Sequence, residues 1–514
     1  MISNKSRARQ ILFISAMATT LIYSMTRIIL TIMDSYKYTN LEITVSLFLL
    51  ASELLVLIHA GGYIRHLLRS IHISNLEPTY HKPLPIPMPT VAILVAARHE
   101  PKEVLEDTFR SITNLRYPSK NVYFLDDSSD EKYRKEAEEI CKKFEINLFR
   151  REERHGAKAG IINDCLHKLE EKYVAIFDAD QNPMPSFLTP LIPILEANTE
   201  LAFIQTPQFY HNINAVTNPV SYGAAYQQAV FYEFICEAKG MDQAMFACGT
   251  NVVFRKDALL SVNGFDEAYI TEDVATSLKL HMAGWKSVYY NHVGTFGMGP
   301  EALAEYFKQQ ARWSRGSFGL LRKMIKELFL HPRSLTINQW IEYLLSGSYY
   351  LVGPAFLVLM LCPILYVFFN VPSFFINSDI YITVFIPYFF LSLSTFYMTL
   401  KERNYKIFSL FVGQTLSNIT FPIYIKAAFF GLLGIQGTFG ITSKGKGSAM
   451  PYIYLWPQIT MLLLNLAAVV WGTTRFIREN NYAVMINCIW ITYHFLIMCS
   501  IFYFNRSSKP EEQQ

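Results

Sequence analysis

This sequence carries no strong excess of charge, and that absence excludes one class of partner. Its 514 residues have a formal net charge of +4, whereas proteins that bind nucleic acid usually present a strongly basic patch. We therefore expect no nucleic acid partner, and we interpret the basic residues as markers of membrane topology.

Cysteine is scarce as well, and it is not arranged in pairs. The seven cysteines include no Cys-x-x-Cys motif, and closely spaced cysteines are what zinc sites and disulfide frameworks usually show. The spacing therefore predicts neither, and it is typical of a protein in the reducing cytosol.

Long apolar runs, by contrast, are plentiful and lie at both ends of the chain. Residues 11–33 and 43–67 are each long enough to cross a hydrocarbon core of ~30 Å at ~1.5 Å per helical residue. The first run is too long for a cleaved signal peptide, so we expect it to remain as an anchor. Basic residues flank this hairpin, which predicts that both of its ends face the cytoplasm.

Apolar runs return in the last third of the chain and bring the expected number of spanning helices to about six. The segment 406–433 is interrupted by polar residues, so we expect it to lie along the membrane interface. Arg475 and Arg478 would then face outward, against the usual excess of positive charge inside. The further spanning runs are residues 343–369, 380–400, 452–474 and 482–504.

Two charged residues, Arg27 and Glu53, lie inside the predicted spans. A charge at the bilayer centre costs roughly 2.5 to 3.5 kcal/mol on insertion scales, so each is expected to face a partner or a hydrated path. In one interpretation Arg27 pairs with Glu53 or reaches the interface, and in the other both belong to a polar pathway. The sequence leaves both interpretations open.

Between the membrane segments, the pattern is that of an α/β domain. Apolar strands are expected at residues 91–95, 122–125 and 173–177, with helices at residues 103–114 and 132–144. Such alternation predicts a doubly wound sheet whose ligands bind at the carboxyl ends of the strands.

The chain is therefore expected to have four parts. They are an N-terminal transmembrane hairpin, a cytosolic domain, a C-terminal transmembrane region and a short cytosolic tail. This arrangement places the protein in the plasma membrane with both termini in the cytosol. The boundaries are residues 1–75, 76–335, 336–505 and 506–514, with an interface helix at 405–433 and a loop at 434–450.

Acidic residues follow the third predicted strand and open a later helix. Asp178 and Asp180 are next-but-one neighbours, and a turn between them would bring both carboxylates to one Mg²⁺ or Mn²⁺ ion; a solvated turn is the alternative. Asp273, beside Glu272 at a helix start, is the candidate base for a hydroxyl that attacks a sugar. No second carboxylate suited to a double displacement is evident, which favours single displacement with inversion.

A third cluster precedes the C-terminal membrane region. It contains Gln309, Arg312 and Trp313. The guanidinium of an arginine offers a fork of donors suited to phosphate, and the face of a tryptophan offers a stacking surface for a sugar ring. A base, a phosphate clamp and a stacking surface are the parts that a sugar-transfer site needs.

Taken together, these motifs resemble the processive family 2 glycosyltransferases of the cellulose synthase type. The resemblance runs over about residues 90 to 450 and implies a cytosolic GT-A domain inserted between transmembrane helices. The matching motifs are Asp126-Asp127-Ser128, His155-Gly156-Ala157-Lys158-Ala159-Gly160, Asp178-Ala179-Asp180, Gln205-Thr206-Pro207, Phe246-Ala247-Cys248-Gly249-Thr250, Thr271-Glu272-Asp273, Gln309-x-x-Arg312-Trp313 and Phe439-Gly440-Ile441-Thr442-Ser443-Lys444-Gly445.

The resemblance also implies a role for each matched residue. Asp273 would be the catalytic base, and the loop at 434–450 would be a gating loop that closes over the donor, with a plain connector as the alternative. By this resemblance the donor-binding residues are Asp126, Asp127, Lys158, Asp178, Asp180, Gln309 and Arg312, the metal ligands are Asp178 and Asp180, the acceptor-binding residues are Trp313, Phe246, Cys248 and Glu272, and the gating-loop residues are Phe439, Ile441, Thr442 and Lys444.

The sequence departs from the family pattern at two places. Arg98-His99-Glu100 stands where the family usually has Tyr-Asn-Glu after the first strand. The family's cyclic di-GMP sensor domain is also expected after the gating loop and its helices, and this sequence has only a short polar tail there. Stacking of an aromatic side chain on the donor base, and control by that nucleotide, are therefore not expected from these segments.

The leading hypothesis is an enzyme that polymerises glucose from UDP-glucose into a β-glucan, either cellulose-like or capsular. It would pass the polymer outward through its own helices, so its partners would be the UDP-sugar donor, the growing polysaccharide and the lipid bilayer. The nearer alternatives are relatives that make mixed-linkage or branched capsular glucans, followed by synthases of N-acetylglucosamine polymers or hyaluronan. A transporter whose cytosolic domain senses nucleotide is the alternative from another class.

Overall fold

The computed structural model of the protein describes residues 4–73, 84–375, 378–435 and 448–506. Within these ranges the strands are β1 (Val91–Ala97), β2 (Lys120–Asp126), β3 (Asn147–Phe149), β4 (Tyr173–Asp178), β5 (Asn182–Pro183), β6 (Leu201–Gln205), β7 (Phe209–Tyr210), β8 (Val252–Arg255), β9 (Lys286–Tyr289) and β10 (Thr295–Gly297). The helices are α1 (Asn4–Asp34), α2 (Asn40–Ile73), α3 (Lys102–Thr113), α4 (Glu131–Phe144), α5 (Ala157–Leu166), α6 (Leu188–Ala197), α7 (Pro219–Val230), α8 (Cys236–Met241), α9 (Lys256–Ser261), α10 (Glu272–Met282), α11 (Leu303–Leu330), α12 (Ile337–Ser348), α13 (Val352–Phe369), α14 (Ser378–Glu402), α15 (Ile407–Ile419), α16 (Phe421–Leu432), α17 (Trp456–Glu479), α18 (Tyr482–Cys499) and α19 (Ile501–Phe504).

A seven-stranded sheet forms the centre of the middle domain. Its strand order is β3-β2-β1-β4-β8-β6-β9, and β1 runs parallel to both β2 and β4. The near-continuous apolar sequences of β1 and β4 suit strands that are covered on both faces, and all residues of these strands but their last few are fully buried. The predicted α/β fold is therefore confirmed.

The direction of the chain across this sheet reverses between β1 and β4. From β1 the chain moves outward through β2 to β3, and it then returns to the other side of β1 to form β4. In open α/β sheets the crevice at such a switch point is where ligands bind. One strand departs from the predicted parallel arrangement, because β8 pairs antiparallel with both β4 and β6.

A small second sheet lies beside the carboxyl ends of the main strands. Its order is β5-β10-β7. It brings together the loop after β4, the residue Tyr210 at the end of β7, and the loop between β10 and α11. Segments that are more than a hundred positions apart in the chain therefore border the same crevice.

Six helical segments within the described ranges are long and apolar enough to cross a membrane. The third contains α12 and α13, which a short 3₁₀ turn joins. The segment expected to form one interface helix contains two helices, α15 and α16, because Pro422 in the first turn of α16 cannot continue the preceding helix. The six segments are Arg7–Lys37, Asn40–Leu68, Ile337–Phe369, Asp379–Lys401, Tyr452–Glu479 and Tyr482–Phe504.

The charged residues inside the first two spans form a pair. Arg27 Nε donates to Glu53 Oε2 at 2.8 Å, and the hydroxyl of Tyr23 donates to Glu53 Oε1 at 2.8 Å. The guanidinium also donates to the carbonyl of Ser373 at 3.0 Å and lies 4.0 Å from the ring centroid of Phe374. Of the two interpretations of the sequence, the described contacts favour the ion pair.

A second buried ionic cluster ties the hairpin to the rest of the molecule. Glu342 in α12 is fully buried and accepts hydrogen bonds from Arg65 at 2.5 Å, His66 at 2.7 Å and Lys239 at 3.0 Å. Arg65 also donates to Asp242 at 2.9 Å. These contacts join the end of α2 and the start of a later membrane segment to α8 of the middle domain.

Candidate active site

A cleft lies at the carboxyl ends of β1, β2 and β4, next to the switch point. Helix α10 and the first half of α11 form its opposite wall. The structure brings together most of the residues that the sequence motifs single out. The predicted site residues that line the cleft are Asp127, Lys158, Asp178, Asp180, Cys248, Glu272, Asp273, Gln309, Arg312 and Trp313.

The two aspartates at the end of β2 are not equivalent. Asp127 lines the cleft, and its carboxylate accepts hydrogen bonds from Arg151 and Arg154 at 2.9 Å each. Asp126 lies behind it, where one oxygen accepts from Arg150 at 2.7 Å and the other from the backbone N–H of Ser128 at 3.0 Å. Asp126 does not line the described cleft, so its position suits support of the loop better than direct contact with a ligand.

Lys158 brings a positive charge to the end of β4. Its ammonium donates to Asp178 Oδ1 and, at 2.7 Å, to the carbonyl of Gly249. Burial alone would lower the pKa of Lys158, but the charges of Asp178 and Glu272 outweigh it and raise this pKa above its ordinary value. Lys158 therefore stays protonated and able to contact an anionic ligand.

Asp178 and Asp180 are the candidate ligands for a metal delivered together with a diphosphate. Both line the cleft, whereas no group of three or more His, Cys, Asp or Glu side chains in the described part of the chain is arranged to hold a metal ion. Mg²⁺ commonly takes only one or two protein carboxylates and completes its shell with phosphate oxygens and water. The donor set therefore fits Mg²⁺ or Mn²⁺ in that role.

Asp273 has the environment expected of a general base. It is the second residue of α10, and its Oδ1 accepts the backbone N–H of Val274 at 2.8 Å. Burial, together with the neighbouring charge of Glu272, raises the pKa of Asp273 to about 7. A carboxylate with such a pKa can accept a proton near neutral pH and release it again.

A glycine allows the opposite wall to approach this carboxylate. Gly249 has a φ of +78°, and a Cβ at this position would lie 3.1 Å from Asp273 Oδ2. A side chain here would be strained by the backbone and would crowd the carboxylate. The glycine of the Phe-Ala-Cys-Gly-Thr motif therefore keeps the space beside Asp273 open.

Three residues of α11 face the cleft together. Gln309, Arg312 and Trp313 are three and four positions apart, which places them on one face of a helix. The neighbouring Gln310 points elsewhere, since its Oε1 accepts from the hydroxyl of Tyr424 in α16 at 2.9 Å. One helix thus presents the predicted phosphate clamp to the cleft and is held from behind by a membrane-proximal helix.

The predicted acceptor residues Phe246 and Cys248 separate in the structure. Cys248 lines the cleft. Phe246 does not line it; its ring packs on Phe231 with the centroids 6.0 Å apart, and Lys239 Nζ lies 5.2 Å from its centroid. A contact between Phe246 and an acceptor stays a prediction, as do the roles of the gating-loop residues Phe439, Ile441, Thr442 and Lys444, which lie outside the described residues.

Sequence reasoning missed several residues of the cleft. Tyr210 lines it, and its hydroxyl accepts from Gln228 at 2.8 Å; burial raises the pKa of Tyr210 to about 12, so the phenol stays neutral. Glu301 and Glu305 also line the cleft, and the expectation that no second carboxylate serves a double displacement stays a prediction. The small sheet and the start of α11 place these residues at the cleft. No local pattern in the sequence predicts that position.

Two family profiles match overlapping parts of the chain. The profile described as Glycosyltransferase like family 2 matches residues 88–316, which contain the main sheet and the cleft. The profile described as Cellulose synthase matches residues 263–508, which contain α10, α11 and the C-terminal membrane segments. The overlap holds Glu272, Asp273, Gln309, Arg312 and Trp313.

Curated relatives agree with these profiles. The chain is 25% identical over 432 residues to the cellulose synthase catalytic subunit of Pseudomonas fluorescens, covering 82% of this chain and 57% of that protein. It is 24% identical over 477 residues to the cellulose synthase 1 catalytic subunit of Komagataeibacter xylinus, covering 89% and 62%. The chain thus spans less than two thirds of the length of these relatives.

A solved structure supports the fold. A mannosyltransferase from Pyrobaculum calidifontis, determined with GDP-Man and Mn²⁺, superposes with a TM-score of 0.51 at 15% identity and covers 76% of this chain and 100% of its own. At this identity the likeness establishes the fold, which is that of a GT-A-like glycosyltransferase.

Proposed function

Because the chain carries a family 2-like glycosyltransferase domain and an overlapping cellulose synthase domain, we propose that it polymerises glucose from UDP-glucose into a β-glucan. The product would be cellulose-like or capsular. The observation that carries this proposal is the convergence of Asp127, Asp178, Asp180, Asp273 and Trp313 on one cleft. These residues supply a nucleotide-binding carboxylate, a metal-binding pair, a base and a stacking surface.

In the proposed reaction, Asp273 takes the proton of the acceptor hydroxyl as that oxygen attacks the anomeric carbon of the donor. The bond to UDP breaks on the opposite face of the sugar, so the configuration inverts. Lys158 and Arg312 stabilise the negative charge that develops on the leaving diphosphate. A divalent ion held by Asp178 and Asp180 would supply further neutralisation of that charge when bound.

The position of the cleft suits a processive enzyme at a membrane. Trp313 offers a face for the terminal sugar of the growing chain, and the helix that carries it packs directly on α16. We propose that the polymer leaves between the membrane helices and that the cleft faces the cytosol, where UDP-sugars are available. The six apolar helical segments support this placement in a membrane.

Donor assays test the activity. Purified full-length protein is incubated with labelled UDP-glucose or UDP-N-acetylglucosamine and Mg²⁺ or Mn²⁺, and the product is digested with linkage-specific glucanases. We expect a polymer from UDP-glucose alone that β-glucanases degrade. Asp273→Asn should abolish synthesis and largely retain UDP binding, because the amide cannot accept the proton. Equal synthesis by Asp273→Asn would remove this residue from the mechanism.

A second assay tests export. In sealed vesicles with the cleft facing outward, a polymer that passes through the protein accumulates in the lumen and resists added glucanase until detergent is present. A product that is digested at once in intact vesicles would contradict transport by this protein.

A further inference from the structure

A membrane helix is hydrogen-bonded to the helix that carries the proposed base. His281 is buried in the last turn of α10, at the opposite end from Asp273. Its Nδ1 lies 2.6 Å from the hydroxyl of Tyr343 in α12, and its Nε2 lies 2.9 Å from the hydroxyl of Ser287 in β9. None of these three side chains lines the described cleft, and the proposed reaction uses none of them.

The hydroxyl of Ser287 fixes the direction of each hydrogen bond in this row. Ser287 donates to the carbonyl of Met245 at 2.6 Å, and a carbonyl can only accept. A serine hydroxyl has one hydrogen, so Ser287 accepts its other bond from the Nε2–H of His281. The remaining ring nitrogen, Nδ1, therefore accepts the hydroxyl of Tyr343. We call this row of three hydrogen bonds the His281 link.

The ring of His281 is neutral, as the link requires. Burial, together with the charge of Lys239, lowers the pKa of His281 to about 3. A protonated ring would carry a hydrogen on Nδ1 and could not accept from Tyr343. Lys239 is itself paired with Glu342, the residue before Tyr343 in α12. One turn of α12 thus binds the histidine and also holds the cation that keeps the histidine uncharged.

The far end of the link is the segment 245–249, which forms part of the cleft. Two of its residues line the cleft, among them Gly249, whose Cβ position faces the carboxylate of Asp273. The segment is bonded to α10 a second time, because the backbone N–H of Ala247 donates to the hydroxyl of Ser277 at 2.8 Å. Hydrogen bonds at two points along α10 therefore set the position of the base against this segment.

The surroundings of the His281 link are apolar. Tyr343 is buried in one cluster with Ala275 and Leu278 of α10 and with Phe246. A buried polar atom that loses its partner is unfavourable, because water does not replace the lost bond. Removal of the Tyr343 hydroxyl would therefore leave Nδ1 of His281 unpaired and weaken the contact between α10 and α12.

We propose that His281 is a positioning residue of the proposed reaction. Through its link it fixes Asp273 against the segment 245–249 and joins both to the membrane helix α12. This inference rests on the proposed function, since it assumes that Asp273 acts as the base. Because His281 lies outside the cleft, it acts on the rate of the chemical step and leaves donor affinity unchanged.

Kinetics of the full-length protein in detergent test the inference. Tyr343→Phe removes one oxygen atom and leaves Nδ1 of His281 without its hydrogen bond. Because small displacements of reacting groups are costly, kcat should fall about tenfold. The KM for UDP-glucose and the Kd for UDP should stay the same. Ser287→Ala breaks the link on the other side of the ring and should have the same effect.

The double variant tests whether the link acts as one unit. Substitutions that act through one shared group are not additive. Tyr343→Phe combined with Ser287→Ala should therefore lower kcat about as much as either substitution alone. Losses that multiply would show that His281 does not join the two ends, and they would overturn the inference.

Tyr117→Phe is the matched control. Tyr117 is also a buried tyrosine, its hydroxyl donates to the carbonyl of Pro89 at 2.7 Å, and it does not line the described cleft. This variant should lose similar stability in thermal unfolding but keep its kcat. If Tyr343→Phe lowers kcat no more than the control does, the role of His281 is structural and the inference is wrong. Should Tyr343→Phe not fold, Ser287→Ala is compared with the same control and decides the question.

Two further outcomes are distinguishable from these. A higher KM for UDP-glucose at unchanged kcat would assign His281 to donor binding and would also overturn the inference. Absence of polymer from the unchanged protein with every UDP-sugar would instead contradict the proposed function.

Discussion

Asp273 and Glu272 are adjacent carboxylates at the start of one helix, and burial acts on both. It raises the pKa of each above its ordinary value, and for Asp273 the pKa reaches about 7. Two such neighbours titrate together, so a pH profile reports the pair. The proton affinity of Asp273, on which its proposed role depends, is therefore raised in part by the charge of its neighbour Glu272.

This coupling predicts a pH dependence of synthesis. The base must be ionised, so kcat/KM should rise with pH through about 7, the pKa of Asp273, and level off above it. Glu272→Gln removes the negative charge that helps to raise this pKa, so the midpoint should move to lower pH even if the maximal rate falls. Profiles of both proteins with UDP-glucose measure the shift. An unchanged midpoint in Glu272→Gln would show that its charge does not act on the base.

The pair of Asp178 and Asp180 predicts a requirement for added metal. Because two carboxylates alone hold Mg²⁺ weakly and the diphosphate completes the shell, EDTA should abolish polymer formation and added Mg²⁺ or Mn²⁺ should restore it. Asp180→Asn should need a higher metal concentration for half-maximal rate, since one negative ligand is lost. Full activity in EDTA would contradict metal use at this pair.

At the scale of elements, α7 and α15 pack closely enough to require a glycine. A Cβ at Gly413 in α15 would lie 2.6 Å from the backbone nitrogen of Gln227 in α7. Backbone cannot rotate away as a side chain can, so a substitution must separate the helices. The docking of the middle domain on the membrane helices therefore depends on this small residue.

Gly413→Leu should lower the free energy of unfolding by about 1 to 3 kcal/mol, the usual cost of overpacking a filled interior. Thermal unfolding in detergent measures the loss. Gly61→Ala in α2 is the matched control, because no atom of another described segment lies within 4 Å of its Cβ position. Alanine favours a helix over glycine, so the control should be neutral or slightly stabilising. Equal stability of Gly413→Leu and the control would refute the close packing.

At the scale of the whole molecule, two helices of the middle domain share an apolar cluster with the membrane helices. Val220 of α7 and Leu303 and Tyr306 of α11 are buried in a cluster that also contains Leu416 of α15 and Phe504 near the C-terminal end. Helices of the cleft wall thus depend on membrane segments for their burial. The two parts therefore form one structural unit.

A fragment of residues 84–335 should consequently not behave as an independent soluble domain. Its α7 and α11 would expose the apolar faces that the membrane helices cover, and large exposed apolar patches promote association. Size-exclusion chromatography without detergent should show aggregates, and the fragment should bind a hydrophobic dye more strongly than the full-length protein does. A monodisperse fragment that binds UDP would contradict this dependence.

Much of this architecture was predictable, and the exceptions have a common cause. The strands at residues 91–95, 122–125 and 173–177 and the six spanning segments were found because their apolar patterns are local properties of the chain. The antiparallel β8 was missed because direction depends on which strands meet. The burial of Phe246 in a cluster apart from the cleft was not predictable either, because residues distant in sequence surround its ring.

Three features could be read from the sequence alone: the segments that are long and apolar enough to cross a membrane, the segments that form the α/β sheet, and the residue types that the motifs hold. Those features follow from the periodicity of apolar residues and from the identities of a few side chains. Three other features became visible only in the folded chain: Asp127 rather than Asp126 lines the cleft, Arg27 pairs with Glu53, and burial with a neighbouring charge raises the pKa of Asp273 to about 7. Burial and partners set these properties, and both arise from contacts between residues that are far apart in the chain.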